Sequence, residues 1–325
     1  MPISIMLSGN GELDSRKIAD VGQEAEKKGF DGFWIGETTQ RDASVLVGVA
    51  ARATNRIHLG TSVVNVFTRT PGQLAMMGAT LNELSGGRFT LGLGMSTAAI
   101  VENWHGEPFE KPVQRLEETI SLIRQYYSGE KFTFQGEFCS PTNARLRTKT
   151  APKIALAALN DQMIKKAARL GDRVILNLYP TERIEHAARL IKEESQAPPG
   201  GAPPILSVML YAHVLGNNEK GLDAAKDLVA FYAGAPAYSA LFSSLGFAAE
   251  AKAMTLAWKA KDREAVKRIV TREMINEIMV LGTIRDLRER VKLYHEKGVE
   301  DVFISPSPFS DYEANINEIL RHYFT

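Results

Sequence analysis

The chain has one cysteine, Cys139, among its 325 residues. A single thiol excludes an internal disulfide and a thiolate metal cluster. The sequence also has no signal-peptide pattern and no apolar run long enough to cross a bilayer. We therefore expect a protein of the reducing cytoplasm, in which Cys139 is an ordinary packed thiol.

Net charge is also nearly absent. The 39 lysine and arginine residues are balanced by 38 aspartate and glutamate residues, so the formal charge is +1. Such a chain has no overall field that attracts nucleic acid or an anionic membrane. We expect neither of these partners, and we expect a small-molecule substrate.

The familiar signatures of metal and nucleophilic catalysis are missing as well. No nucleophile elbow, P-loop or Schiff-base lysine is recognisable at a strand end. The histidines are scattered and form no ligand cluster with acidic residues, so no metal is expected. A chain with so little chemistry of its own predicts a cofactor that supplies the reaction. The histidines are His58, His105, His186, His213, His295 and His322.

What the chain does have is a regular alternation of apolar strand segments and amphipathic helices. Eight strands that alternate with helices favour a closed (β/α)8 TIM barrel over an open sheet, and 325 residues suffice for one barrel with insertions. The predicted strands are Ile3–Leu7, Phe33–Ile35, a strand that begins at Ile57, Phe89–Leu93, Lys153–Ala157, Arg173–Leu176, Ile205–Val214 and Val302–Ile304.

The unit between residues 59 and 94 is the clearest of these. Thr70 is a suitable helix cap, Pro71 suits the first helical position, and Gly86 and Gly87 end the helix before the next strand.

We predict a single domain over residues 1–325. Two segments exceed a minimal barrel, at about 105–150 and 218–281, and are predicted insertions. The first contains a helix over residues 116–127 and a hairpin at Phe132–Phe138. The proline- and glycine-rich run 197–204 resembles an interdomain linker, but in barrel register it is a helix-to-strand loop.

Several short motifs occur in a fixed order along the chain. They are Gly60-Thr61-Ser62-Val63, Arg69-Thr70-Pro71, Leu84-Ser85-Gly86-Gly87-Arg88, Leu91-Gly92-Leu93-Gly94, the segment 232–247, Leu281-Gly282-Thr283 and Ile304-Ser305-Pro306. Together they resemble the bacterial luciferase-like superfamily of flavin and deazaflavin oxidoreductases. The resemblance is greatest to its coenzyme F420-dependent branch, which includes methylenetetrahydromethanopterin reductase.

The resemblance implies an enzyme that binds coenzyme F420 and transfers a hydride. In deazaflavin-dependent relatives the third strand carries a bulge with a non-prolyl cis peptide behind the ring. The matching bond here joins Ser62 and Val63, although an ordinary strand end would explain these residues too. The cofactor residues that the resemblance implies are Ser62, Val63, Val64, Gly94, Met95, Ser96, Ala158, Leu159, Asn160, Asp161 and Asn177.

Leu159, Asn160 and Asp161 lie where the superfamily holds the phosphate-bearing tail of the cofactor. A helix N-terminus suits a phosphate, because its amide groups are unpaired. Here the usual glycines are absent, and Asp161 places a negative charge nearby unless its side chain points away. Asn160 or Asp161 is equally suited to be the helix cap.

The exit of the second strand departs from the family pattern. Many relatives have a carboxylate followed by a histidine, whereas this chain has Glu37 and then Thr38. Both are candidate catalytic residues; a structural role for Glu37, tied to backbone amides, is the alternative. Met6 stands where methanopterin reductases carry a glutamate, so a pterin, an alcohol or aldehyde, and an activated alkene all remain possible substrates.

Two other functions remain open. An FMN-dependent monooxygenase has the same fold, and a non-catalytic flavin-binding protein is compatible with the missing histidine. Small and apolar residues in the second and third helices, among them Ala50, Ala53, Met76, Met77 and Gly78, suit a homodimer contact, but core packing explains them equally well.

Overall fold

Eight parallel strands close into a barrel in the computed structural model, which describes residues 1–148, 150–196, 201–216, 219–309 and 311–325. The predicted (β/α)8 fold is confirmed. In chain order the strands are β1 (Ile3–Leu7), β2 (Gly32–Ile35), β3 (His58–Thr61), β4 (Val64–Asn65), β5 (Phe89–Gly94), β6 (Lys153–Ala158), β7 (Arg173–Asn177), β8 (Ile205–His213), β9 (Met279–Leu281) and β10 (Asp301–Pro306). The short β4 and β9 pair with β5 and β8, and β10 closes the barrel between β8 and β1.

Helices surround this barrel and extend it on one side. In chain order they are α1 (Ile18–Lys28), α2 (Ala43–Ala53), α3 (Pro71–Leu84), α4 (Pro112–Tyr127), α5 (Asp161–Leu170), α6 (Ile184–Glu194), α7 (Glu219–Ala233), α8 (Pro236–Ser244), α9 (Ala248–Lys259), α10 (Arg263–Ile269), α11 (Arg272–Ile278), α12 (Ile284–Glu296) and α13 (Tyr312–His322). Short 3-10 turns lie at Ser15–Lys17 and Thr181–Arg183, and a π-helical turn lies at Ala99–Trp104.

The start of α3 forms as its sequence predicts. The Thr70 side chain accepts a hydrogen bond from the Gln73 amide, the Gln73 side chain accepts one from the Thr70 amide, and Pro71 is the first helical residue. This capping box satisfies two backbone donors that a helix start leaves unpaired.

The middle of the barrel is filled by aromatic and aliphatic side chains. Trp34 is fully buried and stacks on Phe303 with ring centroids 4.4 Å apart. Gly60 on the neighbouring strand makes room for it, because a Cβ atom there would lie 2.1 Å from the Trp34 ring. The barrel is therefore a packed core rather than a channel.

Charged groups occupy the amino end of the barrel. Arg173 Nη1 lies 2.7 Å from Asp301 Oδ2 and donates to Ser207 Oγ at 2.5 Å, while Ser4 Oγ donates to the other Asp301 oxygen at 2.9 Å. All four residues are buried, with at most 9% of their surface exposed. Because each charge has a partner, the burial of this pair is compensated.

The first predicted insertion, about 105–150, contains α4 and the loop that follows it. Helix α4 packs against α3, and its Arg124 and Glu117 contact α5, so it serves as a helix of the outer ring. The predicted hairpin does not form within the bounds Phe132–Phe138: Phe132 pairs with Ala144 in an isolated antiparallel bridge, and the Phe134 amide donates to the Pro141 carbonyl at 3.0 Å. The Glu118 carboxylate instead organises the loop and accepts hydrogen bonds from the amides of residues 137–139.

The second predicted insertion corresponds largely to α7–α11. The hydrophobic cluster inside the barrel, which contains Met6, Trp34 and Phe303, continues into these helices. We propose from this continuity that they belong to one barrel domain. Residue 218, where the predicted insertion begins, and residues 197–200 of the predicted loop lie outside the described residues.

No described helix combines the length and the apolar character that a membrane span requires.

Candidate active site

The carboxyl ends of the barrel strands bring together small, neutral side chains. The alternation of strand residues, with Met6, Trp34, Ile175 and Phe303 in the inner cluster, predicts which neighbours also face inward. Inward positions near this end are the small or neutral Ser8, Gly36, Ser62, Gly94, Ala157, Asn177 and Ser305, and the larger Tyr211. This end of the barrel is where TIM-barrel enzymes place their active sites.

The peptide bond between Ser62 and Val63 is cis, so the predicted backbone geometry is confirmed. It lies between β3 and β4. The Val63 side chain packs over Gly94, where an added Cβ would approach Val63 Cγ2 to 2.6 Å. Val63 belongs to the inner cluster, and Ser62 is 5% exposed.

Two residues of the predicted cofactor set lie elsewhere. The side chains of Val64 and Ala158 are buried in the core between the strands and the outer helices. Strand alternation explains this, because the residues next to Val63 and Ala157 point to the opposite face. Only the main chain of Val64 and Ala158 can contribute to the barrel mouth.

Glu37 is held by an ion pair. Both of its oxygens contact Arg69, at 2.6 Å and 2.8 Å, and one also accepts from the Ala43 amide at 3.0 Å. Arg69 reaches Asp42 as well, at 2.9 Å. Hydrogen bonds from Arg69 to these carboxylates raise the pKa of its guanidinium. These contacts match the structural alternative for Glu37; its catalytic role stays a prediction.

Thr38 lies beside the loop that follows β1. Its hydroxyl donates to Asn10 Oδ1 at 2.7 Å, and Gln40 donates to the Asn10 carbonyl at 3.2 Å. Thr38 is partly exposed. The Thr38 hydroxyl oxygen can therefore still accept a hydrogen bond from a bound molecule.

Asn160 and Asp161 have different partners in the structure, and the role of this segment in phosphate binding stays a prediction. Asn160 caps α5 and accepts from the Met163 amide at 3.0 Å. The Asp161 carboxylate turns toward α6, where it contacts His186 Nε2 at 2.8 Å and lies 3.7 Å from Arg183. Its negative charge is thus directed to cationic or imidazole partners.

A polar network joins the end of β7 to the helices beyond the barrel. Asn177 Nδ2 donates to the Tyr238 hydroxyl at 2.7 Å. The hydroxyls of Tyr211 and Tyr232 are also 2.7 Å apart, and the rings of Tyr232 and Tyr238 lie 4.4 Å apart. Burial raises the pKa of all three phenols, so they remain protonated at neutral pH.

Several buried polar atoms at this end have no hydrogen-bond partner among the described residues. Among them are Ser62 Oγ, Asp161 Oδ1, Asn177 Oδ1, Ser305 Oγ and Ser307 Oγ. A buried polar atom without a partner costs free energy, so each one suggests an absent ligand or water.

Two turns beside the mouth have unusual backbone conformations. Ser96, after β5, has φ of 60°, and Leu178, after β7, has φ of 49°. Non-glycine residues with positive φ are uncommon and concentrate at functional sites. Met95 and Leu159 are both partly exposed near these strand ends.

Within the described ranges no group of three or more histidine, cysteine or acidic residues could hold a metal ion.

Sequence reasoning missed the partners in this site. In the sequence Arg69 stands out only as part of a motif. Its ion pair with Glu37 joins residues that follow two different strands, so the sequence does not reveal it. Tyr211 could have been found from the inward parity of β8, since it lies two residues beyond the inner-cluster residue Met209. Its pairing with Tyr232 depends on where α7 packs.

Comparison with known proteins places these features in a family. A family model described as luciferase-like monooxygenase matches residues 3–301. The 5,10-methylenetetrahydromethanopterin reductase of Archaeoglobus fulgidus is 31% identical over 294 residues, which cover 87% of each chain.

Solved structures share the fold. A coenzyme F420-dependent tetrahydromethanopterin reductase from Methanopyrus kandleri superposes with a TM-score of 0.80 at 23% identity, covering 98% of this chain and 97% of that one. An F420-dependent secondary alcohol dehydrogenase, solved with an F420–acetone adduct, gives 0.76 at 19% identity with the same coverage.

Proposed function

The chain belongs to the luciferase-like monooxygenase family, and we propose that it is a coenzyme F420-dependent oxidoreductase that exchanges a hydride with a small organic substrate. The observation that carries the proposal is the barrel mouth itself. Its inward residues are small and neutral, and Ser62, Asn177 and Ser305 present buried polar atoms without partners. The relatives named above supply the cofactor class.

The residues present fit a flat heterocyclic cofactor. Val63 and Gly94 form one apolar wall, and the unpartnered Ser62 and Asn177 atoms offer hydrogen bonds at its edge. When bound, the deazaflavin supplies a ring carbon that can accept or release a hydride. The protein's part is to bind and orient both reactants and to exclude water.

The phosphate-bearing tail would lie at the N-terminus of α5. Leu159, Asn160 and Asp161 precede or begin this helix, whose first amides are available to an anion. Because Arg183 lies 3.7 Å from the Asp161 carboxylate, the negative charge is partly offset there. Met95 and Ser96 are proposed as a second wall, with Val64 and Ala158 contributing main-chain atoms.

The first test is a side-by-side titration of the purified protein with coenzyme F420 and with FMN, followed by ligand fluorescence and anaerobic reduction. We expect saturable binding of F420 alone. Selective binding of FMN would move the protein to the oxygen-using branch and contradict the proposal. Tight F420 binding without turnover of any substrate in a broad screen would indicate a binding protein.

The roles of Glu37 and Thr38 need a separate test, the variants E37Q and T38V. We expect E37Q to lower kcat/KM less than tenfold and to keep the acid limb of the pH profile, since both Glu37 oxygens are engaged by Arg69. D42N, which removes the other Arg69 partner, is the control. Loss of a pH limb in E37Q alone would establish Glu37 as an acid or base.

The substrate class can be tested by a screen of the candidate compounds. Pterins, alcohols, aldehydes and activated alkenes are the candidates, and the curated relative named above is a methylenetetrahydromethanopterin reductase. In this chain Met6, which is 2% exposed, stands at the position that carries glutamate in those reductases. A substrate screen should therefore begin with pterins and alcohols together.

We also propose a homodimer through α2 and α3. Val45 and Val49 are 63% and 39% exposed one turn apart on α2, and Met76 on α3 is 53% exposed. Contiguous exposed apolar side chains mark association surfaces. V45K should shift the mass measured by light scattering toward the monomer, whereas L256K on α9 should leave it unchanged.

A cytoplasmic location is proposed from the single cysteine. Burial raises the pKa of the Cys139 thiol, which lowers its reactivity and fits a packed, reduced side chain.

A further inference from the structure

Two tyrosine hydroxyls meet above the barrel. Tyr211 lies near the carboxyl end of β8 and is 3% exposed, whereas Tyr232 is on α7 and is partly exposed. Their oxygens are 2.7 Å apart. The pair therefore links the barrel to the helices beyond it, at the end where the cofactor is proposed to bind.

The Tyr211–Tyr232 pair has one hydroxyl hydrogen that is not used in the bond between the two residues. Two phenols carry two O–H protons, and one of these is used in the bond between them. The neighbouring phenol, Tyr238, accepts from the Asn177 amide, so Asn177 acts toward this cluster as a donor. The remaining phenol proton is available to an acceptor on a bound molecule. Since burial keeps these phenols protonated, this donor persists across neutral pH.

The surroundings of the pair are aromatic and uncharged. Phe231 packs edge-on against Tyr232 with ring centroids 5.0 Å apart, and Phe309 lies 6.1 Å from Phe231. The carboxylates identified at the strand ends are engaged, Glu37 by Arg69 and Asp161 by His186. A substrate with several N–H donors or a net charge would find no acceptors or opposite charges here. An apolar substrate with one hydrogen-bond acceptor would find both an apolar surface and a donor.

We propose that the Tyr211–Tyr232 pair binds the oxygen of an uncharged carbonyl or hydroxyl substrate and thereby determines substrate specificity. This inference rests on the proposed hydride-transfer function and narrows its substrate class. A ketone would accept a hydrogen bond from the pair through its carbonyl oxygen, which orients the carbonyl carbon toward the cofactor.

The test uses cyclohexanone labelled with 13C at the carbonyl and protein saturated with oxidised coenzyme F420. Oxidised cofactor has no hydride to transfer, so the ketone is not consumed. A hydrogen bond lowers the carbonyl stretching frequency in the infrared and moves the 13C signal downfield. We expect both shifts in the wild type and their loss in Y232F, with a weaker effect in Y211F.

A turnover assay with reduced F420 complements the binding measurement. We expect Y232F to raise the KM for cyclohexanone about tenfold, the usual size of one lost hydrogen bond, with a smaller change in kcat. Y127F is the matched control, because the Tyr127 hydroxyl is buried without a partner against α3, away from the barrel mouth. An unchanged Kd for F420 shows that each variant is folded.

The outcomes separate the inference from the proposed function. If F420 binds but the wild type shows no carbonyl shift, or Y232F keeps the shift and the KM, the inference is overturned and the proposed function stands. If F420 fails to bind while the ketone shows a Tyr232-dependent shift, the proposed function fails and the binding role of the pair stands.

Discussion

The two ends of the barrel differ in how most of their buried polar side chains are paired, although Trp34 Nε1 at the amino end also lacks a partner among the described residues. At the amino end Arg173, Asp301, Ser4 and Ser207 form hydrogen bonds with one another, so both buried charges are paired. At the carboxyl end four neutral side-chain atoms inside the barrel lack partners among the described residues: Ser62 Oγ, Asn177 Oδ1, Ser305 Oγ and Ser307 Oγ.

The difference separates stability from function within one sheet. A network that is complete inside the protein stabilises the fold, because removing any member leaves another unpaired. An incomplete set costs stability unless a ligand completes it. We interpret the amino end as a region that stabilises the fold. We interpret the carboxyl end as a binding surface whose unpaired polar atoms form hydrogen bonds when a cofactor and substrate bind. Each of the following predictions tests this contrast.

The largest effect is expected from R173M at the amino end. It leaves Asp301, which is 4% exposed, as an uncompensated buried charge. The variant should lose about 3–5 kcal/mol of unfolding free energy, measured by chemical denaturation. The double variant R173M/D301N should recover most of this loss, and the Kd for F420 should stay within about twofold in the folded protein. A weaker F420 affinity with unchanged stability would reverse the assignment of the two ends.

Low pH should also destabilise the protein, through a histidine at the amino end of the barrel. Burial, with the nearby charges of Arg173, Lys153 and Arg88, lowers the pKa of His58 to about 4. The unfolded chain binds this proton near pH 6.5, so the contribution to stability is complete above that pH and is lost as the pH falls toward 4. The loss amounts to about 3 kcal/mol. H58Q, which keeps a donor toward Thr90, should flatten the unfolding free energy over this pH range; an equally steep dependence would contradict the assignment.

A matched pair of serines gives the sharpest comparison. Ser207 accepts a hydrogen bond from Arg173, whereas Ser305 has a buried hydroxyl with no partner among the described residues. S207A should cost about 1.5–3 kcal/mol, the range for a hydrogen bond to a charged group. S305A should leave the stability of the cofactor-free protein nearly unchanged and weaken F420 or substrate binding. Equal losses of stability in both variants would remove the contrast.

A smaller loss of stability than for S207A is expected from G94A. The added methyl group would approach Val63 Cγ2 to 2.6 Å and displace that side chain, at a cost of about 1 kcal/mol. We expect a larger relative change in the Kd for F420. G48A on α2 is the control, because its Cβ would meet Leu81 at an ordinary 3.7 Å and alanine favours a helix. Unchanged F420 affinity in G94A would argue against the proposed wall.

Local signals predicted the elements that local physics controls. The cap at Thr70 and the proline at the start of α3 act within one helical turn, so they could be recognised without the fold. The hairpin predicted at Phe132–Phe138 does not form within those bounds, because a side chain from another element controls this segment. Its alternating residues suit strands, but the Glu118 carboxylate on α4 captures the amides of the loop instead.

The sequence by itself determined the barrel and the end of it that carries the small neutral residues, and its resemblance to a known family implied the position of the Ser62–Val63 bond. Strand alternation and motif order are properties of neighbours along the chain, and they do not depend on long-range packing. Only the tertiary structure decided that Glu37 pairs with Arg69, that Asp161 turns to His186, and that Tyr211 meets Tyr232. Each of these contacts joins side chains more than twenty residues apart, and their distances depend on how strands close and helices pack.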